Sequence, residues 1–147
     1  MCGLFIEAND SLWSSSTKSV RIEGVVTSIR LESFFWMILE EISARDDLSV
    51  AQLLTKLYLE ALDADHDIGN FTSFLRVCCS RYLSLIADGH ITRGASMPLA
   101  DIEAAPMLNL EKIDMHKRQQ ALSLRRVNNG TISLRNAFST FKFPGTA

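Results

Sequence analysis

The sequence lacks the features that direct a chain into a membrane or out of the cell. No run of about 18 apolar residues occurs, so no transmembrane helix is predicted. The N-terminus has no basic region followed by an apolar stretch, as a secretory signal would require. We therefore expect a cytoplasmic protein with no membrane partner.

Residues that build disulfide frameworks, metal sites and catalytic groups are also scarce. Two of the three cysteines, Cys78 and Cys79, are adjacent on a predicted helix, which gives neither a disulfide framework nor a zinc-ligand spacing. The three histidines are scattered and form no grouping with serine and aspartate. We therefore expect no catalytic residues, no metal, no cofactor and no enzymatic activity.

Two short motifs imitate known functional sites. The segment Met1-Cys-Gly-Leu-Phe5 is similar to the start of class II glutamine amidotransferases, in which Cys2 would be the nucleophile, but the rest of such a domain is missing. The loop Asp63–Gly69 resembles the start of a calcium loop. Its glycine is at the seventh position instead of the sixth, and Phe74 stands at the twelfth, where glutamate is required. Neither motif predicts its activity here.

Charge divides the chain into an acidic part and a basic part. Seven basic and twelve acidic residues precede Asp88, giving a net charge of −5, whereas the chain from Lys112 onward carries seven basic residues and one acid, or +6. If the protein binds nucleic acid, the C-terminal part is expected to supply much of the phosphate contact. The alternative is a solvated basic helix face without a ligand.

The apolar pattern changes period in the middle of one segment. Apolar and polar residues alternate toward Leu31 within Val25–Leu31, as in a strand. Apolar residues then recur at helical spacing, at Phe35, Ile38, Leu39 and Ile42. Ser49 is a good N-cap for a second helix, and helices are predicted at about 33–44, 49–64 and 71–87. A single strand cannot satisfy its own backbone groups, so its simplest partner is the same strand of a second chain.

The flanking regions are less regular. Residues 1–17 are expected to form an N-terminal arm. In Lys18–Glu23 apolar and polar residues alternate, with Val20 and Ile22 on one face, and Gly24 suggests a bulge or bend before the main strand. Residues 88–147 form the basic C-terminal region, with a helix expected over Glu111–Leu124 and a hairpin at Asn128-Asn-Gly130.

These patterns resemble the ribbon-helix-helix (MetJ/Arc-like) DNA-binding family, over roughly residues 18–86. The resemblance is carried by Thr27-Ser-Ile-Arg-Leu-Glu32, by the aromatic-rich helix after it, and by Asn70-Phe-Thr-Ser-Phe-Leu-Arg76. It implies a mainly α fold with a short β-ribbon, in an intertwined homodimer whose ribbon enters the major groove of double-stranded DNA. Residues 18–87 would be this domain with its third helix, followed by the partly flexible C-terminal region.

The resemblance also implies the site residues. Ile29 and Leu31 belong to the core, so Val26, Ser28 and Arg30 point outward at the positions that contact bases in the family. Val26 departs from the polar residue usual there. The start of the second helix, Ser49 with Val50 and Ala51, would hold a DNA phosphate.

The implied function is sequence-specific DNA binding in transcriptional regulation. The alternative is a dimeric protein–protein interaction module with the same fold that does not bind DNA. The C-terminal region is the expected surface for any protein partner.

Overall fold

The structure is a computed structural model that describes residues 2–66, 68–94 and 96–139, with side chains only through Asn128. The chain divides into two compact units, Met1–Ile102 and Glu103–Ala147. In the first unit the α-helices and strands are α1 (Cys2–Ile6), β1 (Ser15–Ile22), β2 (Val25–Glu32), α2 (Ser33–Arg45), α3 (Val50–Asp63) and α4 (Phe71–Ala87). The second unit contains α5 (Ala104–Ser139). No helix among the described residues is long and apolar enough to cross a membrane.

The two strands form an antiparallel ribbon within one chain. Their register pairs Ser15 with Glu32 at one end and Ile22 with Val25 at the other. β2 therefore has a strand partner, β1, within its own chain, whereas the sequence indicated the same strand of a second chain as its simplest partner. β1 begins at Ser15, inside the segment expected to be an arm, and it satisfies one edge of β2 through local pairing.

A two-residue turn at Glu23 and Gly24 closes the ribbon. Both residues have positive φ, 50° and 82° respectively, which matches the hairpin turns whose twist suits paired strands. The guanidinium of Arg21 donates a hydrogen bond of 3.2 Å to the carbonyl of Gly24. The sequence suggested a bulge or bend at Gly24, and the structure shows that the chain reverses direction there.

One face of the ribbon packs on the helices. Its buried side chains are Val20, Ile22, Ile29 and Leu31, and they join a core drawn from all three following helices: Trp36, Ile38, Leu39, Ile42, Leu53, Leu54, Ala61, Leu75, Cys79 and Tyr82. The indole N–H of Trp36 donates to the carbonyl of Ser16 over 3.1 Å, which ties α2 to β1. This packing determines which ribbon face remains open.

The three core helices lie where the sequence predicted them. Ser49 caps α3, and its side chain and that of Gln52 form a reciprocal capping box, while Asn70 caps α4. The two adjacent cysteines of α4 differ in burial: Cys79 is fully buried together with Leu75, whereas Cys78 is only half-buried.

Residues after α4 fold back onto the C-terminal end of α2. The guanidinium of Arg45 donates to the carbonyls of Met97 (2.8 Å) and Thr92 (3.0 Å), and the backbone N–H of Leu99 donates to the carboxylate of Asp46. The first unit consequently extends to Ile102, past residue 87.

In the second unit, α5 is longer than the predicted helix over Glu111–Leu124. Its backbone stays helical through Asn128-Asn-Gly130, so the hairpin predicted there was wrong. A hairpin needs two strands that bury one face together, whereas a helix satisfies its backbone hydrogen bonds locally. The local turn signal therefore did not determine the structure.

Candidate nucleic-acid interface

The ribbon has an outer face that the helices do not cover. Because opposed residues of an antiparallel pair share a face, the register places Ser15 with Glu32 at the open end of this face, followed by three further pairs: Thr17 with Arg30, Ser19 with Ser28, and Arg21 with Val26. The six residues of these three pairs are all exposed. The three residues predicted from the sequence to contact bases thus lie side by side on one open surface.

The polar groups of this outer face are available for a ligand. Within the described part of the chain, the side chains of Thr17, Ser19, Ser28 and Arg30 have no hydrogen-bond partner. Val26 is 59 % exposed near the closed end of the ribbon and presents an apolar surface there. The face therefore offers hydroxyls and a guanidinium at its centre and a methyl-bearing side chain near the turn.

The contribution of β1 to this face was not predicted from the sequence. The alternation of Val20 and Ile22 already implies that Ser19 and Arg21 point the other way, but Thr17 was expected to belong to the N-terminal arm. The signal that could have identified the hairpin is Glu23-Gly24, two residues between two alternating segments.

The beginning of α3 forms the second predicted site. The hydroxyl of Ser49 accepts a hydrogen bond from the Gln52 N–H (3.2 Å), and the Gln52 side chain accepts one from the Ser49 N–H (2.8 Å). The N–H groups of Val50 and Ala51, the first two residues of the helix, have no intrahelical acceptor. These two donors are the groups that an anion would bind.

A groove connects this helix end to the ribbon. It has a volume of about 490 Å³, and its lining includes Arg21 from β1 and Ala51, Gln52 and Lys56 from α3. The cationic side chains of Arg21 and Lys56 thus border the same groove as the N-terminal end of α3. The acidic residues Glu60 and Asp63 line it as well.

Comparison with known proteins identifies the fold. Residues 15–83 match the family model described as "Ribbon-helix-helix domain". An uncharacterized protein from Bordetella pertussis Tohama I, whose structure has been solved, is 47 % identical, with 74 % of this chain and 86 % of that chain covered and a TM-score of 0.70. The chain belongs to the ribbon-helix-helix domain family. No curated protein matches.

Membership of the ribbon-helix-helix family confirms the fold expected from the sequence, a two-stranded antiparallel ribbon followed by helices. Ribbon-helix-helix domains are a DNA-binding regulator fold without enzymatic chemistry. Because the Bordetella relative is uncharacterized, it assigns no ligand to this chain.

An ion pair neutralises the acidic end of the ribbon in this ribbon-helix-helix domain. Arg76 of α4 contacts both carboxylate oxygens of Glu32, with distances of 2.9 Å and 3.0 Å. The hydrogen bonds from Arg76 hold the pKa of Glu32 below its usual range. Since Glu32 is on the outer-face side of β2, this pairing reduces the repulsion that its carboxylate would exert on a phosphate.

Acids near the start of α3 differ in their surroundings. Asp46 accepts the Leu99 N–H, so its carboxylate has a partner in the fold. Asp47 is exposed and adopts a φ of 55°, at the position after α2 where glycine is common. The exposed negative charge of Asp47, two residues before Ser49, opposes anion binding at Ser49, Val50 and Ala51.

The cysteines do not form a reactive centre. Burial raises the pKa of Cys79 to about 12 and also raises the pKa of Cys78, so both thiols are protonated near neutral pH. Cys2 lies in the exposed helix α1. Among the described residues of the first unit, no three acidic, histidine or cysteine side chains come close enough to share a metal ion.

Proposed function

We propose that the protein binds double-stranded DNA sequence-specifically through the outer face of its ribbon and thereby regulates transcription. The observation that carries the proposal is the exposed guanidinium of Arg30, unengaged beside Ser28 on the ribbon of a ribbon-helix-helix domain. A two-stranded ribbon fits the major groove, where base edges are distinguishable. Such a role agrees with the cytoplasmic location expected from the sequence.

The three proposed base contacts differ in chemistry. Arg30 presents a planar fork that matches the O6 and N7 acceptors of guanine, so it is the main determinant of specificity. Ser28 can donate to or accept from any base edge and discriminates weakly. Val26 suits the methyl group of thymine, because both surfaces are apolar.

Phosphate contacts would come from the beginning of α3. The free N–H groups of Val50 and Ala51 and the helix dipole favour an anion there, with Ser49 as the cap. The groove shared with Arg21 supports this assignment, since it brings the helix end near the closed end of the ribbon. Basic residues of α5 would add sequence-independent attraction.

We also propose that the working form is a homodimer. Five aromatic side chains of the helices are only half-buried in a single chain: Phe34, Phe35, Tyr58, Phe71 and Phe74. Phe71 contacts both Tyr58 (5.3 Å between ring centroids) and Phe74 (5.9 Å), so part of this apolar surface is continuous. A second copy would bury it. Sedimentation that finds only monomers at micromolar concentration would contradict the dimer.

Replacing Arg30 tests the base contact. After selection of a preferred site from random DNA, Arg30→Ala should weaken binding to that site by about 1–3 kcal/mol and relax preference at the matching base pairs. Folding should be retained because the side chain is exposed. Lys56→Ala removes an equal charge from α3 and should weaken binding to all sequences alike. Equal, sequence-independent losses for the two variants would refute contact by the ribbon.

The second candidate function is a dimeric protein–protein interaction module that does not bind DNA. The net charge of −5 before Asp88 favours it, because an acidic surface repels phosphates. A binding titration over a salt series separates the two functions. DNA binding through phosphates should fall steeply as salt increases. Absence of binding by the unmodified protein at low salt would favour the module.

A further inference from the structure

The outer face of the ribbon carries an acid next to the residue proposed to contact bases. Among the eight residues that form this face, in four opposed pairs from Ser15–Glu32 to Arg21–Val26, Glu32 is the one acid. Glu32 follows Arg30 by two positions on β2, so both side chains point to the same side, from Cα atoms about 6.6 Å apart. A long side chain can reach across such a distance. Since both residues lie on β2, their relation is the same whichever strand occupies the second edge of β2.

The fold gives the carboxylate of Glu32 a different partner. Glu32 is the N-cap residue of α2, but its side chain makes no capping hydrogen bond. Arg76 of α4 instead donates to it twice, from Nε to one carboxylate oxygen over 2.9 Å and from Nη2 to the other over 3.0 Å. The planar fork of a guanidinium matches a carboxylate in this way, so it engages both oxygens at once. The neighbouring Leu75 is fully buried and anchors this part of α4 in the core.

Arg30, in contrast, is exposed and has no hydrogen-bond or ion-pair partner among the described residues. A carboxylate without a partner attracts the nearest cation, whereas one held by a guanidinium attracts a second cation less. We propose that Arg76 is a positioning residue for DNA binding: it holds Glu32 away from Arg30, whose guanidinium stays free to reach a base edge. This inference rests on the proposed DNA binding and extends it to a residue of the third core helix.

Loss of Arg76 should turn Glu32 toward Arg30. A base edge would then have to displace an ion pair before it could bind the guanidinium. Ion pairs on an exposed surface are weak, so the loss of base discrimination should be about 2- to 5-fold. Arg30→Ala, which removes the contact itself, should cause a larger loss.

The test measures base discrimination by the full-length protein. Discrimination is the ratio of two affinities, one for the selected DNA site and one for that site with the base pair replaced at which Arg30→Ala loses preference. Arg76→Gln should lower the ratio, and adding Glu32→Gln should restore it, because no carboxylate is then left to capture Arg30. Adding Glu40→Gln instead is the matched control, since Glu40 is an exposed glutamate of α2 that pairs with Lys18 at 3.0 Å. It restores the same net charge but leaves Glu32 in place, so the ratio should stay low.

The outcomes distinguish this inference from the proposed function. If Arg76→Gln is folded, as thermal unfolding measures, and discriminates as well as the unmodified protein, DNA binding stands and the positioning role is overturned. The role is also overturned if Glu32→Gln does not restore the ratio or if Glu40→Gln restores it equally, because Arg76 would then act through stability or net charge. If the unmodified protein prefers no DNA sequence at low salt, the proposed function itself fails. If Arg76→Gln does not fold, Arg76→Lys takes its place under the same criteria, since a single ammonium lacks the fork that holds both oxygens.

Discussion

The first unit and helix α5 show two different ways in which a segment acquires structure. In the first unit, ribbon and helices bury a common core, from Val20 in β1 to Tyr82 in α4. In α5, the apolar side chains from Leu108 to Val127 remain largely exposed, and the ion pair of Lys117 with Asp114 lies within the helix itself. Tertiary burial stabilises the first, whereas local hydrogen bonds define the second.

The same two regions differ in charge. The chain before Asp88 has a net charge of −5, and the chain from Lys112 onward has +6. A packed unit positions a few side chains for specific contact, while an exposed basic helix supplies attraction without positioning. This difference predicts that the first unit makes the specific contacts and α5 the general ones, and substitutions in each region test it.

The largest expected effect is on stability, when the same leucine-to-alanine truncation is made in each of the two regions. Leu31→Ala removes a fully buried side chain from the ribbon and should lower the free energy of unfolding by about 2–5 kcal/mol. Leu124→Ala removes a side chain that is 65 % exposed in α5 and should change stability by less than about 0.5 kcal/mol. Urea unfolding followed by circular dichroism measures both. Similar losses would show that α5 also packs in solution.

A second experiment separates specific from general attraction. Replacing Arg125 and Arg126, both exposed on α5, with Gln should weaken binding to every DNA sequence alike. The salt slope should fall by about 1 for each phosphate that the variant no longer neutralises. Ser28→Ala, the control on the ribbon, should leave the salt slope unchanged. If the slope of the double variant equals that of the unmodified protein, α5 is not a DNA-contacting element.

Acid should destabilise the first unit. Hydrogen bonds from Arg93 and Tyr82 hold the pKa of Glu41 below 4.5. The folded state therefore binds this proton less readily than the unfolded state, so the stabilisation is present above pH 4.5 and is lost as pH falls through the lowered pKa.

Thermal unfolding between about pH 6 and pH 3 measures this loss. Glu41→Gln should reduce the dependence of the melting temperature on pH, because the titrating carboxyl is gone. Glu40→Gln is the matched control on the same helix, since Glu40 is exposed and pairs with Lys18 at 3.0 Å. A Glu41→Gln variant with unchanged pH dependence would contradict the assigned role of this carboxylate.

The smallest effect concerns the ribbon turn, where local conformation matters within the packed unit. Glu23 has a φ of 50°, which is unfavourable for most non-glycine residues. Glu23→Asn should stabilise the protein by about 0.5–1 kcal/mol, since asparagine tolerates this conformation and part of the strain is removed. Glu7→Asn makes the same change in an exposed residue outside the hairpin. Equal melting temperatures for Glu23→Asn and the unmodified protein would show that the turn is not strained.

Much of the first unit could be predicted because its elements have strong local signals. The change of period after Leu31, the cap at Ser49 and the cap at Asn70 locate α2, α3 and α4 without any knowledge of their packing. The outward direction of Ser28 and Arg30 followed from alternation, given that Ile29 and Leu31 are buried. Their roles at DNA stay predictions.

Other features required three-dimensional packing. The adjacent cysteines of α4 could not be distinguished from the sequence, and the structure shows that Cys79 is fully buried with its thiol donating to the carbonyl of Phe35 in α2, whereas Cys78 is half-buried. The ion pair of Arg76 with Glu32 joins residues far apart in the chain, which no local pattern reveals.

The helices and the alternating faces of the strands follow from the amino-acid sequence alone, because helical and strand periods are properties of neighbouring residues. The pairing of β2 with β1 of the same chain is visible only in the folded protein, where it places Thr17 and Ser19 beside Arg30 and Ser28. A strand exposes hydrogen-bonding groups along its edge without specifying what satisfies them. The choice of partner depends on which pairing also buries Val20 and Ile22 against the helices.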